Sequence, residues 1–528
     1  MGPSLSAVLF ALLAQALAFG IVKSAHISAG RGFVIWAAAA PLIVFVPNPL
    51  SVILVLGALM LVVAPASASQ RVALFIVVAP SVPLFIEAFI PFPGINFLAA
   101  LNNYRLAVIV LLLPVLFYRH ADRYARQTWT LADFCLIAYA GFTAVMMAGA
   151  INTTSGLRFF VEQLIVLIAP YLVVVRALRS PEDVETCLRA LLACSIILAM
   201  VAMIVTLKQW DFYRLTEPLT VLAAPDFRSG WLRVAATATT HSLGFHFVAG
   251  LLVLERLKSS LGLGALRLML LRALLFSGLI VTGSRGALAA LAVSVAVYLI
   301  FTAATPAVRR VYFTLFGLAG VAAAIWLLSG DYSKVDPYGT FAYRQLLLST
   351  SLEYIRDHLF FGDLNFTSSG RFDQLLQGQG IIDITNLYLQ IALNFGLIGF
   401  ALFFLVFAQS VWGLVIGARR EAIRKEPGTC AALLAILIGW LALVATTSDV
   451  GLTMYLGILF AALGRAAYTI GPGIRPSAQP PHRLWRVQRW RCQRRRDFAA
   501  AGRSKSAAGM GKQEGPLEGA FLFAARHA

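Results

Sequence analysis

Charge is what this 528-residue sequence lacks most: Asp, Glu, Lys and Arg make up 13% of it, whereas a soluble domain carries about 25%. With 59% apolar residues and a mean hydropathy of +0.81, too little polar surface remains to keep a folded chain in water. Acidic residues are scarcest, 24 against 43 basic, and only 7 of the basic residues are lysines. Cysteine is sparse as well. Cys135, Cys187, Cys194, Cys430 and Cys492 form no CxxC pair and mostly sit inside apolar runs, which excludes a disulfide framework or a zinc site. No HExxH, Walker loop, GxGxxG or DxD pattern falls in a suitable context, so no metal or nucleotide cofactor is expected.

Long hydrophobic runs are abundant. A hydrocarbon core roughly 30 Å thick needs about 20 apolar residues per helix, and runs near that length follow one another from Leu5 to Tyr468. They are continuously apolar, as in LMLLRALLFSGLIVTG, whereas an outer-membrane barrel alternates polar and apolar residues in segments of about ten. The expected fold is therefore all-α: a polytopic transmembrane bundle of about 12 to 15 spans, with one large extracytoplasmic loop containing an amphipathic helix. The apolar run over residues 5–22 has no basic residue before it and no small-x-small cleavage site after it, and is taken as the first span rather than a signal peptide. No inverted repeat of the kind many transporters carry is visible. Three regions are expected: residues 1–230, N-terminal helices; 231–467, a transmembrane region with the loop 330–385; and 468–528, a basic, disordered cytoplasmic tail rich in Pro, Gly, Ser and Arg.

The net charge of +19 points to membrane topology rather than to nucleic acid. From Arg465 onward there are 13 basic and 3 acidic residues, and basic residues flanking spans mark the cytoplasmic side and meet anionic lipid. Alternating back from the tail, the clusters at Arg419, Arg420, Arg424 and Lys425, at Arg309 and Arg310, at Arg256, Lys258 and Arg267, at Arg176 and Arg179, and at Arg119, Arg123 and Arg126 all fall inside. The same alternation puts residues 209–235 and 330–385 outside. In the second loop Phe341, Leu348, Leu352, Ile355 and Leu359 recur at helical spacing, with Glu353 and Asp357 opposite, which describes an amphipathic helix.

Chemistry-bearing residues gather on that outer side. The turn Thr282-Gly283-Ser284-Arg285-Gly286 holds an arginine at the outer membrane boundary, against the charge rule. Arg344 lies on the apolar stripe of the loop helix, where a cation needs an anionic partner. A guanidinium binds phosphate through a planar fork, and two converging would suit a diphosphate; the bland alternatives are snorkelling of Arg285 to headgroups and an ion pair of Arg344 with Asp331 or Asp336. Before the central helix stand Arg233 and the run RVAATATTHSLGFHF with His241 and His246. Each histidine is more often a hydrogen-bonded packing residue than an acid, base or ligand.

TGSRG opening an apolar helix, then SLEYIRDHLFFGD, then NLYLQIALNFGLIGFALFF, with RVAATATTHSLGF upstream, resembles the O-antigen ligase and polymerase family of bacterial membrane glycosyltransferases over roughly residues 231–464. The resemblance implies action at the periplasmic face of the inner membrane on an undecaprenyl-diphosphate-linked glycan donor, with a glycan or lipid A core as acceptor, polysaccharide-assembly proteins as partners, and Arg285 and Arg344 holding the diphosphate. Arg233, His241 and Asn386 join them as substrate-binding candidates. One departure stands out: ligases of this family open the NxYL helix with a His-Asn pair whose histidine is the proposed base, and here the pair is Thr385-Asn386. The nearest substitutes are Asp383 and His358. The departure favours a polymerase of repeat units over a ligase to lipid A core; a transporter or lipid-linked glycan flippase is the alternative class, against which the scarcity of mid-membrane carboxylates speaks.

Overall fold

An apolar run in lipid must satisfy its own backbone, and the helix does this within the segment; the computed structural model follows that rule along the chain. It describes residues 3–93, 95–117, 129–213, 227–228, 230–328, 339–377, 380–424, 428–449 and 451–470. Helices come in the order α1 (Pro3–Ser24), α2 (Gly30–Phe45), α3 (Pro49–Val63), α4 (Ala68–Val78), α5 (Asn103–Leu116), α6 (Leu131–Ala150), α7 (Thr153–Ala177) and α8 (Pro181–Lys208). They continue with α9 (Thr240–Leu257), α10 (Ala265–Val281), α11 (Arg285–Thr302), α12 (Pro306–Leu328), α13 (Thr340–Asp357), α14 (Leu387–Arg424), α15 (Thr429–Val444) and α16 (Thr453–Ile470). Among the described residues seven helices, α1, α6, α7, α8, α11, α14 and α16, are long and apolar enough to cross a membrane; α2 to α5 and α15 are apolar but shorter. The protein is an all-α polytopic membrane protein. Its outer faces are apolar, as at Leu266, Met269, Leu270 and Phe276 on α10 and Phe313, Leu315 and Leu318 on α12. Inside, Trp36 and Trp440 are fully enclosed, and their indole N–H groups each donate to a carbonyl, of Val77 and Thr453, at 2.8 Å.

Two expectations change. Residues 72–91, one of the span-like apolar runs between Leu5 and Tyr468, do not form a single span: Pro80 and Pro83 end α4, and a hairpin follows, β1 (Glu87–Phe92) antiparallel to β2 (Ile95–Asn102). A second, two-residue hairpin pairs β3 (Phe227–Arg228) with β4 (Trp231–Leu232). The loop helix α13 exists, but its buried face is Leu347, Thr350, Ser351, Tyr354 and Ile355. Leu348 and Leu352, expected on the stripe, are 46% and 55% exposed. Arg344 nevertheless keeps its inward side, because it is three residues before Leu347 and so shares that face.

Basic residues mark one end of the bundle. There Arg256 Nε donates to Thr429 Oγ1 at 2.6 Å, Glu255 pairs with Arg272 at 2.5 Å and Glu185 with Arg189 at 2.7 Å. The clusters at Arg119, Arg123 and Arg126 and in the tail after residue 470 lie outside the described residues. Close to this end a buried pair joins α6 to α16: Arg465 Nη1 meets Asp133 Oδ1 at 2.5 Å and also donates to the Tyr171 hydroxyl oxygen at 3.2 Å. Removing one partner of such a pair strands a charge and costs about 3–5 kcal/mol, while replacing both by apolar groups is often neutral. Arg465→Ala should therefore lower the melting temperature of the detergent-solubilised protein strongly, and the double change Asp133→Leu with Arg465→Leu should recover most of that loss.

Candidate functional site

At the opposite end, four helices begin side by side. Ser242 Oγ near the start of α9 lies 2.9 Å from Thr453 Oγ1 at the start of α16, and the amide of Leu387, first residue of α14, donates to the Thr447 carbonyl at 3.1 Å. α11 starts beside them, its Gly286 so close to Thr446 that a Cβ there would sit 2.5 Å from the threonine Oγ1. The first amides of each helix have no partner within the helix itself, and each N-terminus carries roughly half a positive charge. Their convergence creates a positive field suited to an anion before any side chain is counted.

The turn from α15 to α16, residues 445–452, runs through the middle of this arrangement. The Thr446 carbonyl accepts from Arg344 Nη2 at 3.2 Å, and Ser448 Oγ donates to Asp383 Oδ1 at 3.4 Å. The amide of Asp449 donates to Gln390 Oε1 at 3.0 Å. Tyr343, the neighbour of Arg344, clamps Asp383 from α13: its hydroxyl donates to the Asp383 carbonyl at 2.9 Å and accepts from the Asp383 amide at 3.1 Å. Thr446 thus stands between the α11 start, which carries Arg285, and Arg344.

Arg285 is the first residue of α11, after Ser284 at the N-cap, whose Oγ accepts from the Ala287 amide at 3.2 Å. Its side chain is exposed, and among the described residues no hydrogen bond or ion pair engages its guanidinium. Behind the turn, Arg233 Nε donates to the Thr282 carbonyl at 3.4 Å and its Nη2 to Thr240 Oγ1 at 3.1 Å. Gly283 (φ 59°) takes a left-handed conformation there, with a would-be Cβ 3.1 Å from Arg233 Cγ; glycine alone adopts it without strain. His241 Nδ1 lies 2.9 Å from Ser284 Oγ. His246 is buried, its Nδ1 2.8 Å from the Ser242 carbonyl of its own helix, a packing role.

Of the base candidates, Asp383 joins the cluster. Burial raises its carboxyl above the usual range, opposed by the Ser448 hydroxyl and the Arg344 guanidinium. His358 does not join it. It follows the last residue of α13, stacked on Tyr354 at 4.4 Å, and its fourteen-residue separation from Arg344 along that helix is about 21 Å. Asn386 caps α14, its Oδ1 accepting from the amides of Tyr388 and Leu389 at 2.9 and 3.2 Å. Beside it the Thr385 Oγ1 is enclosed with no hydrogen-bond partner among the described residues, at the position where ligases carry histidine. Asp331 and Asp336, considered as partners of Arg344, lie outside the described residues.

One carboxylate, Asp449, escaped the sequence reading. Asp449 keeps an accessible surface while protein crowds it, as in a crevice; burial first and Glu162 second push its carboxyl up to about 6. Glu162 itself is paired with Arg105. A carboxylate in TTSDVGL, between two spans, was the available signal. No group of His, Cys, Asp and Glu among the described residues could hold a metal ion.

These features define a multi-pass membrane protein with a cationic, carboxylate-bearing site at the end away from its basic loops. Residues 270–404, from within α10 into α14, match the family model described as O-antigen ligase, so the resemblance seen in the sequence holds over that stretch, about a quarter of the chain. The match supports a glycosyltransferase-type role in membrane glycan assembly. No curated protein matches the sequence.

The closeness of α11 to the 445–452 turn generates a stability prediction. Gly286→Ala forces Thr446 aside and should cost about 1–3 kcal/mol, the usual range for overpacking. Adding Thr446→Ala removes the opposing oxygen and should restore thermal stability in the same melting assay.

Proposed function

We propose that the protein is a glycosyltransferase of bacterial surface-polysaccharide assembly that takes glycan from an undecaprenyl-diphosphate carrier at the periplasmic face of the inner membrane and adds it to a growing chain of repeat units. The observation that carries this reading is Arg285, unengaged at the first turn of α11, on one side of Thr446 while Arg344 grips that residue's carbonyl from the other. An acceptor hydroxyl attacks the anomeric carbon, the bond to the carrier diphosphate breaks, and the departing diphosphate gains charge. The Arg344 guanidinium, held by Thr446, the unengaged Arg285 guanidinium and the helix N-termini stabilise that charge as it develops. Arg233 and His241 support the TGSRG turn from behind, and Asn386 caps the start of α14.

Asp383 receives the proton of the acceptor hydroxyl. Its raised carboxyl, shielded from water yet within the field of Arg344, suits a base better than an ordinary surface carboxylate. Thr385 cannot take that proton near neutral pH, which separates this chain from the His-Asn ligases. Polymerisation is favoured over ligation to lipid A core for the same reason.

Arg285→Ala, expressed normally, should abolish long-chain polysaccharide and leave lipid-linked repeat units accumulating, with transfer by purified protein down about 10²–10³-fold. Full-length polymer from that variant would overturn the proposal, and a product attached to lipid A core instead of a lengthened glycan would convert it to ligation. Asp383→Asn should cost about 10²–10⁴ in turnover, while His358→Ala leaves turnover near the parent value. In the parent a base must be ionised, so transfer should fall as pH drops through the carboxyl's titration, at a pH above the ordinary aspartate value of about 3.9; the Asn variant should lack that acid limb.

A further inference from the structure

Leu359, Phe360 and Phe361, directly after α13, are 40%, 60% and 58% exposed, an apolar patch that the transfer chemistry does not use. Their backbone is not free. α14 breaks at Gly396 (φ 60°, ψ −167°), and the loop fills the break: the carbonyls of Leu359 and Phe360 accept from the amides of Leu397 and Ile398 at 2.9 and 3.3 Å, and the Asp363 amide donates to the Leu393 carbonyl at 2.7 Å. Glycine is required on both sides. A Cβ on Gly396 would lie 2.3 Å from the Phe360 carbonyl carbon, and one on Gly362 (φ 70°) 2.5 Å from the Leu393 oxygen.

The depth of this graft follows from α6, which runs antiparallel to α14. Near the basic end the Ala132 amide donates to Gln409 Oε1 at 2.7 Å; towards the other end, Phe142 faces Gly399 and its ring lies 6.3 Å from that of Phe361. α6 has 20 residues, about 30 Å of helix, which matches the thickness of the hydrocarbon core. Phe142 sits eight residues, about 12 Å, short of the Ala150 end. Phe361 is thus level with acyl chains and not with headgroups. Its neighbours on the spans, Val145 and Leu397, are exposed too, so the patch continues the apolar surface of the bundle. Irregular backbone at such depth is tolerated where it lies against protein: the Leu359 and Phe360 carbonyls are paired into α14 and the Gly362 amide with the His358 carbonyl, so the main chain rests on the span while the three side chains face away from it.

We infer that residues 359–361 form a dip of the loop into the bilayer, seated among the acyl chains of the leaflet at the arginine end, so that the loop carrying Arg344 is anchored in lipid at its far side. The inference rests on the membrane fold and stands independently of the transfer reaction.

A spin label tests it in the full chain reconstituted in phosphatidylcholine vesicles. The four described cysteines are buried, so Phe361→Cys in a Cys492→Ser background supplies an accessible thiol. The label at 361 should relax faster with oxygen, which partitions into the bilayer, than with a water-soluble nickel chelate, and a label at the exposed Ser368→Cys should show the reverse order. Nickel-dominated relaxation at 361 would place the patch in water, and low collision with both reagents would place it under protein, such as a second copy of the chain. Either result overturns the inference, and neither depends on catalytic activity.

Discussion

The turn between α15 and α16 holds together the end of this protein away from its basic loops, because its main chain provides what neighbouring elements would otherwise lack. The Thr446 carbonyl receives Arg344, the Thr447 carbonyl receives the first amide of α14, and the Asp449 amide is received by Gln390. A carbonyl at the end of a helix has no partner within that helix. Here such groups orient a cation and a helix start instead of meeting water. Gly286 allows α11 to approach within contact of the same turn, so the two arginines are positioned by a shared short segment rather than by separate loops.

Electrostatics at this end are cumulative. The starts of α9, α11, α14 and α16 contribute their dipoles, Arg285 and Arg344 contribute full charges, and Asp383 and Asp449 are held in surroundings that favour their neutral forms. The opposite end pairs its cations with Glu185, Glu255 and Asp133. Arg285, by contrast, has no such carboxylate partner among the described residues.

Much of the fold was legible because span length and apolar run length are set by the same bilayer thickness, and counting basic loops put TGSRG, Arg233 and His241 at the end of the bundle away from those loops. The hairpin at β1 and β2 was missed because EAFIPFPGINFLAALN has the composition of a span; only the Pro93-Gly94 turn and the preceding Pro80 and Pro83 distinguish it. The face of α13 was misassigned by one position in the helical wheel because Thr350 and Ser351, polar by type, are buried while Leu348 and Leu352 are not. His358 looked close to Arg344 in sequence, but a helix converts fourteen residues into two nanometres. Asp449 belongs to no motif. Its raised carboxyl arises from what surrounds it in space, which a single sequence does not list.

The break in α14 binds two stretches of chain that are usually thought of as separable. Residues 359–363 complete the hydrogen bonding of residues 393–398, so neither stretch can finish folding alone, and the span matures only when its preceding loop returns to it. A chimaera that swaps the loop between related chains must therefore carry the first turns of the following span as part of the same cassette, with both Gly362 and Gly396 retained.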